Sequence, residues 1–181
     1  RVLPLILLTK KTNKRTDFFA ENIFTVLQYC VLFDYEDLID TCQEIWQMRD
    51  SSGSSIIHQI VQYKSIKVMK ALAAKKKDEK FLAKNEENLL QLACVNGDYE
   101  MVDFLIQHGA NLNSVDSNKK TPIHHACFGG DYAICRLLLK HGAHLHFETA
   151  FSKTLLHHCC SKGIFEMVQL LIEYRAPVNF V

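Results

Sequence analysis

A shift of 33 residues lays this chain on itself. The segment NLLQLACVNGDYEMVDFLIQHGANLN, residues 88 to 113, then falls on TPIHHACFGGDYAICRLLLKHGAHLH, residues 121 to 146, with ten of twenty-six positions identical. Average residue usage would give roughly two. The same shift carries the second segment onto TLLHHCCSKGIFEMVQLLIEYRAPVN, residues 154 to 179, without a gap. A shift back from residue 88 reaches SIIHQIVQYKSIKVMKALAAKKKDEK, residues 55 to 80, where His58 comes into register with His124 and His157. Four units share one period, and a period of this length decides the fold class before any single motif does.

Each unit has the same anatomy. An apolar segment such as Ile123 to Phe128 leads to a turn at Gly130, and YAICRLLL then places Ile134, Cys135, Leu137 and Leu138 on one helical face. The spacing predicts helix, turn, helix. Gly109 and Gly142 stand where a left-handed residue would end the second helix, whereas Arg175 must find another ending or accept strain. The residues between units, ANLNSVDSNKKTP in the central case, read as an extended turn. Met101 and Met167 fall on the core face by the same periodicity.

These residues resemble the ankyrin repeat family. Thr121-Pro122-Ile123-His124-His125-Ala126 is similar to its Thr-Pro-Leu-His-x-Ala signature, and Gly142-Ala143 with Leu145 to its helix-ending pattern. The resemblance implies an all-α solenoid of stacked helix-turn-helix units with hairpin-like connecting loops. Its four repeats span 50–82, 83–115, 116–148 and 149–181, after an extension or linker over 1–16. Residues 17–49 read as a degenerate first repeat or N-terminal cap, because YEDL there echoes YEMV after a two-residue insertion. The last second helix, FEMVQLLIEY, would expose an apolar flank, and the chain lacks an initiating Met; both favour a longer polypeptide.

Composition narrows the function. A net charge of +1 gives no whole-molecule field to draw nucleic acid or an anionic membrane, and neither is expected as a partner. The opening RVLPLILL is too short to span a bilayer. Seven cysteines without framework spacing point to a reducing, intracellular setting, cytoplasmic or nuclear. No phosphate loop, dinucleotide fingerprint or zinc-protease motif is present, and no cofactor or enzymatic activity is expected. The run KKKDEK, residues 75 to 80, reads as a solvated loop.

The paired histidines pose the sharpest chemical question. The resemblance makes His58, His124 and His157 structural residues that tie units together. His125 and His158 stand where Leu92 stands in the preceding unit, with Cys127, Cys159 and Cys160 close in sequence. Neighbouring positions on one helix point in different directions, which opposes a tetrahedral metal site built from such pairs. Cys127 and Cys160 are expected at the family's small apolar position, as compact hydrophobes.

The resemblance implies a protein-interaction scaffold whose concave face binds another protein. The positions that the family leaves variable fall here on two groups. Ser117, Asn118, Lys120, Phe151 and Lys153 belong to the hairpin tips, and Tyr63, Val95, Asn96 and Phe128 to the ends of first helices. Phe128 and Phe151 are expected as anchors that no core position requires. Two alternatives belong to other classes: a cytoplasmic regulatory segment of a larger ion channel or multidomain enzyme, and a metal- or redox-sensing module using His125, His158 and nearby cysteines.

Overall fold

The computed structural model describes residues 55–75, 88–145 and 154–177. The chain divides into two compact units, residues 1–77 and 78–181. The expected extension at 1–16, the degenerate repeat at 17–49 and most of the KKKDEK run lie outside the described residues. Eight α-helices make up the regular structure among the described residues.

The first unit contributes one helical pair, α1 (Ile56–Gln62) and α2 (Ile66–Lys75). They pack against each other over Ile57, Ile60, Val61, Val68 and Met69, all buried. The second unit holds three such pairs: α3 (Leu89–Val95) with α4 (Tyr99–Gln107), α5 (Pro122–Gly129) with α6 (Tyr132–Lys140), and α7 (Leu155–Lys162) with α8 (Phe165–Glu173). The first helices α3, α5 and α7 pack in sequence as one layer, and α4, α6 and α8 as a second. The core lies between the layers, on Met101, Leu105, Ile123, Ile134, Leu138, Met167 and Leu171. The periodicity placed both methionines there.

Local chemistry starts three of the first helices. Thr121 takes an extended backbone, φ −95° and ψ 169°, and Pro122 follows at the first helical position, where its missing N–H would have no partner in any case. The backbone N–H of Thr121 donates to Nδ1 of His124 at 3.2 Å. That nitrogen is therefore bare, and the Thr121 hydroxyl, 2.8 Å away, donates to it as well. His157 meets Thr154 Oγ1 at 2.8 Å and His58 meets Ser55 Oγ at 3.0 Å. The signature histidine thus closes the start of its own helix in three repeats.

The helix ends repeat with the same period. Lys64, Gly97, Gly130 and Gly163 end the first helices with positive φ, and Gly109, Gly142 and Arg175 end the second helices likewise. At Gly142 the residue's own N–H reaches the Leu139 carbonyl at 3.0 Å, and that of Ala143 reaches the Leu138 carbonyl at 3.0 Å. Arg175 and Ala176 make the equivalent bonds to Ile172 and Leu171, both 2.9 Å. Arg175 has φ 58°, so it adopts the left-handed ending rather than a different one. Two backbone bonds and the burial of Ala176 offset the roughly 1–2 kcal/mol that a side chain costs in this region.

Candidate functional site

Of the variable positions, Ser117, Asn118 and Lys120 lie in the loop between α4 and α5, Val95 and Asn96 at the end of α3, and Phe128 at the end of α5. Asp116 organises that loop. Its Oδ1 accepts the backbone N–H groups of Asn118 and Lys120, both at 2.8 Å, while its own N–H donates to the Lys120 carbonyl at 3.0 Å. These bonds fix a tight tip that presents Ser117 and Asn118 to solvent and holds Lys119 at φ 59°. Asp116 Oδ2 pairs with Nε2 of His125 at 3.1 Å. Burial alone would raise the Asp116 carboxyl, but the two N–H groups and His125 outweigh it, and its pKa lies below the ordinary value. His125 is lowered by burial, against the pull of Asp116.

Neighbouring loops and repeats are tied by side-chain amides. Asn113 Oδ1 accepts the backbone N–H of His144 at 2.9 Å, one repeat on. Gln91 Nε2, on α3, donates to the Ser114 carbonyl at 2.8 Å and reaches that of Lys120 at 3.4 Å. Gln91 occupies the register of His124, and its amide ties α3 to the loop of its own repeat, with the longer reach to Lys120 crossing into the next. The register alone would have identified it.

Phe128, at the end of α5, is not free-standing. Its ring centroid lies 4.2 Å from that of His158 on α7 and 6.2 Å from that of His124, edge-on. Lys120 Nζ sits 4.8 Å from the ring centre. The ring therefore joins two repeats, contrary to the expectation that no structural need accounts for it. Val95, its counterpart on α3, is 59% exposed, and Asn96 beside it is half-buried. Tyr63, in the first unit, is exposed at the end of α1. Phe151 and Lys153 lie outside the described residues.

His125 and His158 part company. His125 turns to Asp116, while the His158 ring packs on Phe128 with Nε2 buried and unpartnered. Burial, then Lys162 and Lys120, lower the His158 pKa and keep the ring neutral. Among the described residues no group of three or more His, Cys, Asp or Glu side chains is placed to hold a metal ion.

The cysteines divide differently from the expectation. Cys127 is fully buried, but Cys160 is exposed, and Cys159 takes the buried place that Ala93 and Ala126 hold in preceding repeats. Cys127 faces Cys159 of the next repeat, whereas among the described residues no further first helix stacks on α7 to cover Cys160. Cys127 Sγ lies 3.3 Å from Cys135 Sγ. Hydrogen bonds to Cys135 and Cys159, then burial, push the Cys127 thiol up; burial, then Cys135 and Asp131, raise Cys94. Cys159 moves down because Cys127 donates to it. Buried thiols held protonated, as at Cys94 and Cys127, are poor nucleophiles.

Known sequences place the chain further. A family model described as ankyrin repeats in three copies matches residues 57–149, and one described as an ankyrin repeat matches residues 151–180. An ADP-ribosylation factor GTPase-activating protein of Arabidopsis thaliana is 48% identical over 40 residues, which cover 22% of this chain and 5% of that protein. A viral ankyrin repeat protein of Acanthamoeba polyphaga mimivirus is 25% identical over 123 residues, covering 63% of this chain and 16% of its own length. The matched part is thus a small fraction of either relative. Among the described residues no helix is long and apolar enough to cross a membrane.

Proposed function

The chain belongs to the ankyrin repeat family, and from that premise we propose that it binds a partner protein through the ends of its first helices and the adjoining loop tips. Members of this family are generally protein-interaction modules without catalytic activity. The supporting observation is Val95, an aliphatic side chain 59% exposed beside Asn96, at a repeat position where the next unit carries Phe128. Ser117 and Asn118 offer polar contacts at the tip, and Lys120 adds a cation. Phe151 and Lys153 extend the proposed surface by sequence register.

Val95 is the cleaner probe, because Phe128 also holds two repeats together. Affinity capture with wild type, followed by Kd measurement on the recovered partner, should show a loss of about tenfold or more for Val95→Asp with Lys120→Glu. Unchanged affinity in that variant would refute the surface. The 40-residue likeness to a GTPase-activating protein favours a second reading, in which such repeats act on a neighbouring domain of the same polypeptide.

A further inference from the structure

The second helices carry a feature that the first-helix surface does not explain. Tyr99, Tyr132 and Phe165 each open a second helix, one repeat apart, and are 47%, 37% and 83% exposed. The core does not require them, since Met101, Ile134 and Met167, two residues on, fill the interior. Between α4 and α6 lies an open groove of about 280 Å³, lined by Tyr99, Tyr132, Ala133, Arg136, Leu137 and Lys140. Its chemistry is asymmetric. Position 133 is Ala where the repeats on either side carry Glu100 and Glu166, and Arg136 stands where they carry Asp103 and Gln169. Arg136 and Lys140 are one helical turn apart, both exposed, and neither makes an ion pair among the described residues. Asp103 instead accepts from Gln107 Nε2 at 2.7 Å.

We propose that this groove is a second binding surface, and that its occupant is an acidic peptide segment carrying one large apolar side chain. The apolar side chain lies between the Tyr99 and Tyr132 rings, over Ala133 and Leu137. The flanking carboxylates meet Arg136, whose planar fork suits bidentate pairing, and Lys140. With a net charge of +1 overall, the attraction is local to α6 and falls with salt. The proposal is independent of the first-helix surface and survives or fails without it.

The test is selection from a displayed library of random twelve-residue peptides, followed by fluorescence anisotropy with synthetic copies of those recovered. Expected are peptides enriched in Asp and Glu around an aliphatic or aromatic residue. Arg136→Glu with Lys140→Glu should weaken their binding by about tenfold or more, as should Tyr132→Ala, while Val95→Asp leaves it unchanged. All four substituted positions are solvent-exposed, and circular dichroism with thermal melts confirms that each variant is folded. Four outcomes overturn the proposal: no peptide recovered, peptides without acidic enrichment, binding indifferent to the charge reversal, or binding lost with Val95→Asp. Concentration-dependent self-association abolished by the charge reversal, without peptide binding, would assign the groove to a second copy instead.

Discussion

The repeat at 121–145 and the one at 154–177 have the same local bonds and different surroundings. Thr and His meet at 2.8 Å at the start of each first helix, and a left-handed residue closes each helix. Yet His124 is fully buried where His157 is exposed, and Cys127 is buried where Cys160 is exposed. Leu139 is 5% exposed and Ile172, its counterpart, 56%. The first repeat packs against described helices on both sides, and the second on one side only. Helix starts and stops are therefore written inside each repeat, whereas burial comes from the neighbour.

Core truncation puts this division under the greatest strain. Leu138→Ala should cost about 4 kcal/mol and Leu171→Ala about 2 kcal/mol, because the one-sided repeat can relax around the cavity. Urea melts measure both. Equal costs would mean that the repeat at 154–177 is as tightly held as its predecessor. Next comes the Thr–His bond: Thr121→Ala should lose about 2 kcal/mol, leaving a buried ring short of a partner, and Thr154→Ala under about 1 kcal/mol, where water reaches His157.

The paired positions 125 and 158 sharpen the contrast. His125→Leu should destabilise by about 1 kcal/mol, since Asp116 loses a partner, while His158→Leu should stabilise by up to about 1 kcal/mol by removing a buried, unpartnered nitrogen. A pH series separates them further. Both histidines titrate below 6.5 in the fold, so the unfolded chain takes up protons first as pH falls through 6.5. Their contribution to stability is intact above about pH 7 and declines below 6.5 until the lower folded pKa values are passed. His158→Leu should shallow that decline; an unchanged slope would remove His158 from the account. The smallest effect is expected at the helix ends, where Arg175→Gly should gain about 1 kcal/mol and Gly142→Ala lose about 1 kcal/mol, both read from thermal melts.

Most of the fold was legible in the sequence because its period repeats the same local physics. The helical pairs, the two core methionines and the left-handed glycines follow from register and apolar spacing alone. For Arg175 the sequence left open a different ending or a strained left-handed one, and backbone bonds that any residue can make decide for the second. The exposure of Cys160 was not legible, since it depends on what lies beyond its helix rather than on its own position. The candidate site was legible as a set of positions and less so as contacts. Phe128 could be placed at a helix end, but its tilted ring contact with His158 arises only when two repeats are brought together. Asp116 was missed because a loop carboxylate that accepts N–H groups two and four residues ahead carries no periodic signal.

The left-handed closures bear on how such a chain can change length. At Gly130, Gly142, Gly163 and Arg175 the terminal carbonyls are satisfied by N–H groups at most five residues away. Cutting or joining the chain between one second helix and the next first helix therefore breaks none of these bonds. A repeat duplicated or deleted as a cassette keeps its own closures, and the junction is felt by the apolar faces and by the ties that cross it, such as Asn113 to His144 and Phe128 to His158. Arg175 extends this tolerance, since a closure that survives without glycine leaves that position open to drift while the helix still stops in register.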